Sequence, residues 1–403
     1  MNYLLRNGLV YLQGKFRPAD LVVSEGMIRE IREVKTGGMA NGRPVTGGSQ
    51  AEEECPAQPY QIIDFGGARV VPGFIDVHTH GAVGVDVNGA DAAGYEQICR
   101  FFAARGTTAW LGSVLTDTRE QTLRSIAAYQ QWQEVEHQGA KLLGLHLEGP
   151  FLAAEYKGAM PEHLLQKGDW QLVREYQEAA RDAIRYITVS PEVEGCMEMI
   201  PRLRQMGMTV AIGHTGADYE CVMAAVRAGA TGATHTGNAM RLLHQHEPAA
   251  WGAVMEADEV YCEIICDGLH LHPGTVRLVI KTKGLNRVVL VTDSIMAAGQ
   301  PDGNYKLGVN DVVVADGDAK LRDGGGRAGS TLTMDRALKN VLAFTGLTLE
   351  AVIPMLTENP ARLIGVDDRM GTLAVGKEAN LVILNEQYEV MRTFVSGKVC
   401  YER

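Results

Sequence analysis

The stretch TVAIGHTGADYECVMAAVRAGATGATH, residues 209–235, contains one complete strand, helix and strand unit. Each of its two short apolar runs ends in a histidine, His214 in the first and His235 in the second. The segment between them has the spacing of an amphipathic helix, with Asp218 as its predicted N-cap and Gly229 as its predicted C-cap. This order predicts two neighbouring parallel strands that each present a histidine at the carboxyl end.

Similar units recur on both sides of this stretch. Short apolar runs that alternate with helical segments are typical of a parallel sheet covered by helices. The eight runs are 74–78, 108–115, 141–148, 186–190, 209–214, 232–235, 260–266 and 287–293. Eight such units favour an α/β fold with a (β/α)8 TIM-type barrel over residues 71–365, and a doubly wound sheet is the alternative.

The two ends of the chain have a different texture. Residues 1–34 and the last stretch, from Gly371 onward, alternate apolar and polar residues as strands do. We therefore predict a small β-sandwich domain that is built from residues 1–70 together with residues 366–403. Gly, Glu, Gln and Pro are frequent between residues 36 and 58, which predicts a surface loop there.

The composition excludes several classes of partner. The chain has 403 residues and a formal net charge of −11, whereas nucleic acids and anionic membranes bind basic surfaces. No apolar run reaches the roughly 18 residues that a membrane-spanning helix needs. The seven cysteines are scattered and form no CxxC pair, which predicts reduced thiols and a cytoplasmic protein.

Six residues with metal-binding or catalytic side chains stand at the ends of predicted barrel strands. They are His78, His80, Glu148, His214, His235 and Asp293. The catalytic residues of such barrels lie at this carboxyl end, so we expect the six side chains to meet. His78 and His80 are two residues apart and project to one face of an extended segment, where two imidazoles suit a zinc-like ion.

The carboxylates at these strand ends have distinct expected roles. Glu148 ends an apolar strand and has no basic neighbour in sequence, so a metal ligand explains it better than a surface charge. Asp293 is either a further ligand or the general base beside a water molecule whose pKa the metal lowers. His146 is either a support for the ligands or a core histidine. The pattern predicts metal-assisted hydrolysis of an amide or ester.

Several motifs resemble the amidohydrolase superfamily and, within it, the N-acetylglucosamine-6-phosphate deacetylase family. The motifs are VPGFIDVHTHG, LHLEGPF, KGAMPEH, IGHTGAD, THTGNAM, EIICDGLHLHP, VTDSIMAAGQPDG and AGSTLTMD, and the similarity covers about residues 71–362. The resemblance implies a homodimeric enzyme that removes the acetyl group from N-acetyl-D-glucosamine 6-phosphate. It also implies one or two divalent ions, zinc or alternatively iron, with Glu148, His214 and His235 at the principal ion. His78 and His80 would allow a second ion, and Asp293 would be the general base and acid.

The resemblance also implies a set of substrate contacts. His270 would hold the sugar, the backbone at Asn238 and Ala239 would contact its phosphate or hydroxyls, and Gly329 with its neighbours would close the pocket. The full set is Ala159, Met160, Asn238, Ala239, His246, His270, Arg327, Ala328 and Gly329.

Several positions depart from the family pattern, among them Arg241 and Arg327, which stand where relatives commonly have small or apolar residues. His246 stands where relatives carry an arginine that reaches the substrate phosphate across a dimer interface, and a histidine holds a phosphate less firmly. Met160 stands where relatives often have His or Gln, and His163 is a candidate replacement. Either Arg241 or Arg327 holds the phosphate instead, or the substrate is a different N-acyl amino sugar without phosphate.

Two other functions remain as alternatives. An amidohydrolase that acts on a cyclic amide is disfavoured, because Glu148 stands where those branches carry a carboxylated lysine. A non-catalytic barrel used for assembly is disfavoured, because such proteins typically lose metal ligands and all of them are present here.

Overall fold

Eight parallel strands form the centre of the chain in a computed structural model that describes residues 2–34 and 60–403. In chain order these barrel strands are Phe74–Thr79, Thr107–Leu115, Lys141–Glu148, Ile184–Val189, Thr209–Ile212, Gly232–Ala233, Tyr261–Ile265 and Val288–Val291. Each strand pairs in parallel with the next one along the chain. The predicted barrel is thus confirmed, since a doubly wound sheet would reverse its strand order. The predicted surface loop at 36–58 lies outside the described residues.

The first and last barrel strands meet just beyond their carboxyl ends. The backbone N–H of Asp293 donates to the carbonyl of His78 (2.9 Å), and the N–H of His80 donates to the carbonyl of Ser294 (2.7 Å). A parallel bridge joins Thr79 to Ser294 at the same place. Closure of the barrel therefore brings the predicted ligands of the first strand beside the predicted base of the last.

Helices cover the outside of the barrel. The α-helices are Ala92–Ala103, Arg119–Gln133, Trp170–Ala179, Cys196–Gln205, Tyr219–Ala228, Ala249–Glu256, Pro273–Lys283, Met334–Thr345, Leu349–Leu356 and Glu358–Leu363, and single turns of 3₁₀-helix span Ala154–Tyr156 and Glu162–Leu164. Their apolar faces and the strands bury large side chains such as Trp110, Tyr129 and Tyr186 in one continuous core. No helix in the described ranges is both long and apolar enough to cross a lipid bilayer.

The predicted caps of the helix between the fifth and sixth barrel strands are confirmed. The Asp218 carboxylate accepts a hydrogen bond from the backbone N–H of Cys221 (2.8 Å), and Gly229 has the left-handed conformation (φ 119°) that ends the helix.

Replacing Asp218 with alanine is expected to lower the free energy of unfolding by about 1 kcal/mol, because the first turn loses its acceptor. Denaturant titration measures this loss, and Asp218→Asn, which keeps an acceptor, is the matched control. Equal stability of the alanine variant would contradict the capping role.

Strands from the two ends of the chain pair in one separate sheet, in agreement with the predicted small β-sandwich domain. Its strands are Asn2–Leu12, Lys15–Ser24, Met27–Glu33, Gln61–Asp64, Arg69–Pro72, Leu381–Leu384, Val390–Val395 and Lys398–Glu402. Leu21, Val70, Leu381 and Phe394 are buried in a second core within this sheet. The predicted domain boundary between residues 70 and 71 falls inside the strand Arg69–Pro72, and the division into domains stays a prediction.

A three-stranded antiparallel insert follows the last barrel strand and was not predicted from the sequence. Its strands are Gly303–Leu307, Asn310–Ala315 and Asp318–Leu321, and a smaller two-stranded hairpin pairs Gly81–Ala82 with Val85–Asp86. Leu307 and Val312 of the insert pack in one buried cluster with Leu152 and Met160. Both ends of the insert join beside Asp293, since the N–H of Ser330 donates to the Asp293 carbonyl (2.7 Å).

Candidate metal centre and active site

Glu148, His214 and His235 form the first of two groups of facing ligand atoms. The Oε1 atom of Glu148 lies 3.1 Å from Nε2 of His214 and 3.2 Å from Nε2 of His235, and the two Nε2 atoms are 3.0 Å apart. All three side chains are buried at the carboxyl ends of the third, fifth and sixth strands. Two imidazoles and one carboxylate are a ligand set that zinc accepts.

His78, His80 and Asp293 form the second group. Nε2 of His78 lies 3.3 Å from Nε2 of His80, and Oδ1 of Asp293 lies 3.3 Å from His80 Nε2 and 3.5 Å from His78 Nε2. Glu148 belongs to both groups, because its Oε2 lies 3.0 Å from His80 Nε2 and its Oε1 lies 3.4 Å from His78 Nε2. The predicted ligands therefore converge, and one carboxylate joins the two groups.

Hydrogen bonds at Nδ1 orient three of the four imidazoles. The acceptors are the Glu263 carboxylate for His78 (3.0 Å), the Ser113 carbonyl for His80 (3.0 Å) and the Tyr156 carbonyl for His214 (2.8 Å). These oxygens only accept, so Nδ1 carries the proton and the Nε2 lone pair of a neutral ring points into the site. The Nδ1 atom of His235 is buried and has no partner among the described residues. Lone pairs of His214 and His235 that face each other at 3.0 Å need a cation between them, so the residues fit a divalent metal.

The charges within the site stabilise one another. Burial disfavours protonated His78, yet the carboxylates of Glu148 and Asp293 outweigh it and raise the pKa of His78 well above 6.5. Burial likewise disfavours ionised Glu148, yet the charge on His78 and the close Nε2 atoms of His214 and His235 lower the pKa of Glu148 well below 4.5. Ligands must be deprotonated to bind a metal, so a divalent cation would take the place of the imidazole protons.

The backbone is strained at three of these residues. His214 (φ 49°), His235 (φ 30°) and Asp293 (φ 47°) adopt left-handed conformations directly after their strands. Such a conformation costs a non-glycine residue about 1–3 kcal/mol and occurs most often where a site requires it. The strain turns each side chain from the strand end toward the common centre, which supports a functional role.

Two supporting residues were not identified from the sequence. Glu263 is buried in the seventh strand and holds His78, and Asp267 accepts a hydrogen bond from Nδ1 of His270 (2.6 Å). A charged residue inside the apolar run VYCEIIC was the available signal for Glu263. His146 bonds Ser113 and Thr188 through its two ring nitrogens, so it lies behind the ligands and is not one of them.

A cavity of about 350 Å³ opens over the two groups. The predicted substrate contacts that line it are Ala159, Met160, Asn238, Ala239, His270, Arg327 and Gly329. Ala328 is buried in the apolar cluster behind this wall, and His246 lies on an exposed loop away from the cavity of its own chain. His163 and His244 are exposed as well, and Arg241 pairs with Glu247 on that loop.

A (β/α)8 barrel that gathers histidines and carboxylates at the carboxyl ends of its strands defines the class of metal-binding barrel hydrolases. This chain belongs to the amidohydrolase family, whose profile matches residues 69–400.

Relatives within this family share most of the chain. An N-acetylglucosamine-6-phosphate deacetylase of Bacillus subtilis (strain 168) is 32% identical over 388 residues, which cover 94% of this chain and 97% of the relative. An N-acetylgalactosamine-6-phosphate deacetylase of Escherichia coli O157:H7 is 32% identical over 341 residues, 85% of this chain and 90% of the relative. The structure of a mutant N-acetyl-D-glucosamine-6-phosphate deacetylase of Mycobacterium smegmatis, in complex with N-acetyl-D-glucosamine-6-phosphate, superposes on this chain with a TM-score of 0.86. It is 30% identical and covers 99% of both chains.

Proposed function

We propose that this protein is a metal-dependent deacetylase that converts N-acetyl-D-glucosamine 6-phosphate to glucosamine 6-phosphate and acetate. The convergence of four imidazoles, Glu148 and Asp293, all of which except His78 line one cavity, carries this proposal. The relatives named above support the substrate class, since they are deacetylases of N-acetylated hexosamine 6-phosphates.

Two groups of residues would hold the metal. Glu148, His214 and His235 would bind one divalent ion, and His78, His80 and Asp293 a second, with zinc proposed and iron as the alternative. When bound, such an ion supplies Lewis acidity, which polarises the acetyl carbonyl and lowers the pKa of water.

Asp293 would move the proton. Its carboxylate lies at the mouth of the barrel and lines the cavity together with His80 and Glu148. From there it can take a proton from the attacking water and deliver it to the amine that leaves as the amide bond breaks. The backbone bonds of Asp293 to His78 and Ser330 hold the carboxylate in this position.

The cavity wall would bind the sugar phosphate. Asp267 fixes the ring of His270, which leaves its Nε2 available for a sugar hydroxyl. Among the described residues that line the cavity, Arg327 is the one Arg or Lys, so it is our candidate for the phosphate. Its guanidinium already pairs with Asp318 (2.9 Å), which a phosphate would have to displace or share. His246 would contribute from a neighbouring subunit of a homodimer.

The phosphate is tested by comparing N-acetylglucosamine with and without its 6-phosphate on the zinc-loaded protein, with acetate release as the readout. We expect kcat/KM to be at least about tenfold higher for the phosphorylated sugar, because a charged hydrogen bond contributes about 1.5–3 kcal/mol. The variant Arg327→Met should reduce the difference in kcat/KM between the phosphorylated and the unphosphorylated sugar. Equal values of kcat/KM for the two sugars would favour the alternative, an N-acyl amino sugar without phosphate. The corresponding galactosamine derivative tests the sugar series in the same assay.

The proposed location is the cytoplasm, and it rests on the cysteine pattern of the sequence. The proposed homodimer rests on the family resemblance and is checked by sedimentation of the purified chain.

A further inference from the structure

Glu263 is a buried carboxylate that takes no part in the proposed reaction. It lies in the middle of the seventh barrel strand, fully shielded from solvent. An ionised carboxylate in such a place is destabilising unless hydrogen bonds satisfy it. Tyr186 donates its hydroxyl proton to Oε1 (2.5 Å), while Nδ1 of His78 (3.0 Å) and the backbone N–H of His235 (3.1 Å) donate to Oε2. Both oxygens of the Glu263 carboxylate therefore accept hydrogen bonds, and the donor of each bond is identified.

His78 differs from the other oriented imidazoles in the charge of its acceptor. His80 and His214 donate to neutral backbone carbonyls, whereas His78 donates to the carboxylate of Glu263. A carboxylate on the far nitrogen makes an imidazole a more basic ligand and fixes its orientation more firmly. His78 is thus the ligand whose affinity for a cation depends most directly on another side chain.

Glu263 also connects the two groups of ligands. Its Oε2 atom bonds the ring of His78 in one group and the backbone of His235, in its left-handed conformation, in the other. Tyr186 remains a donor over the working pH range, because burial and the Glu263 carboxylate raise its pKa well above 10. Gly232 leaves room for this tyrosine, since a Cβ there would lie 2.5 Å from the Tyr186 hydroxyl.

We propose that the Glu263–Tyr186 pair is a positioning device for His78 that determines whether the second ion, at His78, His80 and Asp293, is retained. This inference rests on the proposed function only in requiring two divalent ions. The ion at Glu148, His214 and His235 depends on it less, because Glu263 bonds that group through the backbone N–H of His235 and not through a ligand side chain.

Metal titration of a Glu263→Gln variant tests the inference. Glutamine keeps the volume but loses the charge, so we expect the affinity for the second zinc ion to fall about 10–100-fold while the first ion is retained. Zinc per chain is measured after dialysis against buffered zinc, and titration with Co²⁺ reports each position by its visible spectrum. Thr209→Val is the matched control, since it removes a buried hydrogen bond to Leu363 (2.7 Å) at the opposite end of the barrel.

Three results would overturn the inference: two ions bound by Glu263→Gln with wild-type affinity, an equal loss at both positions, or a wild-type protein that binds one ion only. If Glu263→Gln does not fold, the same metal titration of Tyr186→Phe tests the inference. This variant removes one donor to Glu263 and leaves the carboxylate in place. A smaller loss confined to the second ion is then expected, and wild-type affinity at both positions would overturn the inference. No substrate enters these measurements, so a two-ion wild-type protein without deacetylase activity contradicts the proposed function alone.

Discussion

Replacing Glu148 with alanine is expected to abolish metal retention at His214 and His235, to weaken it at His78, His80 and Asp293, and to lower turnover by at least about 10³-fold. Among the residues that the structure describes, Glu148 is the one whose side-chain oxygens face all four imidazoles, with separations of 3.0 to 3.4 Å. Without it, His214 and His235 offer two neutral ligands, which is too few for a stable zinc site. Zinc content by mass spectrometry and acetate release measure the two effects.

Glu148→Gln is the control for this change, because it keeps the volume of the side chain. It should also lose metal, which would show that the charge matters and not the space that the side chain fills. Retention of stoichiometric zinc by the alanine variant would contradict the proposed centre. A wild-type chain that binds no divalent ion from zinc-supplemented buffer would favour the alternative of a non-catalytic assembly barrel.

Replacing Asp293 with asparagine is expected to leave the metal in place and to lower kcat by about 10²–10⁴-fold. The amide oxygen can still face His78 and His80 as Oδ1 does now, at 3.5 and 3.3 Å. The backbone bonds to His78 and Ser330 are unchanged by the substitution. An amide does not accept the proton of the attacking water at neutral pH, so chemistry fails while binding persists. Steady-state kinetics on the zinc-loaded variant, with KM near the wild-type value, is the measurement.

Loss of zinc from the Asp293→Asn variant would assign Asp293 a different role. If Asp293→Asn loses zinc from the second position in proportion to its activity, Asp293 is a ligand first. Undiminished kcat in a metal-loaded variant would remove the general base from the proposed mechanism. Zinc content of every preparation must therefore accompany its rate.

The barrel and its metal ligands could be predicted because both depend on local patterns. Parallel strands that are buried on two faces leave continuous apolar runs, and the caps at Asp218 and Gly229 mark the helix between two of them. Strand ends meet at one rim of a barrel, so His214, His235 and Asp293 could be grouped without knowledge of their distances.

The remaining features depend on contacts between distant segments. In the sequence, Glu263 is a single charged residue within an apolar run. Only the positions of His78 and Tyr186 in the structure show which groups its carboxylate binds. The insert at 303–321 consists of three short strands whose partners are each other, and its one apolar run, 312–315, does not show where the insert packs. The surroundings of Arg327 likewise follow from the folding of that insert beside the cavity.

The bridge between Ser294 and Ser330 at the base of the insert bears on how proteins with this fold can differ in substrate. Residues 295–329 leave the barrel and return to it at adjacent points, where Ser294 and Ser330 form a bridge beside Asp293. The segment supplies Leu307, Arg327 and Gly329 to the cavity wall and packs against Leu152 and Met160. We expect that its length and composition can vary while the metal ligands stay in place, because none of those ligands lies within it. Exchange of this segment between related chains is then expected to alter selectivity for the sugar and to leave cleavage of the amide unchanged.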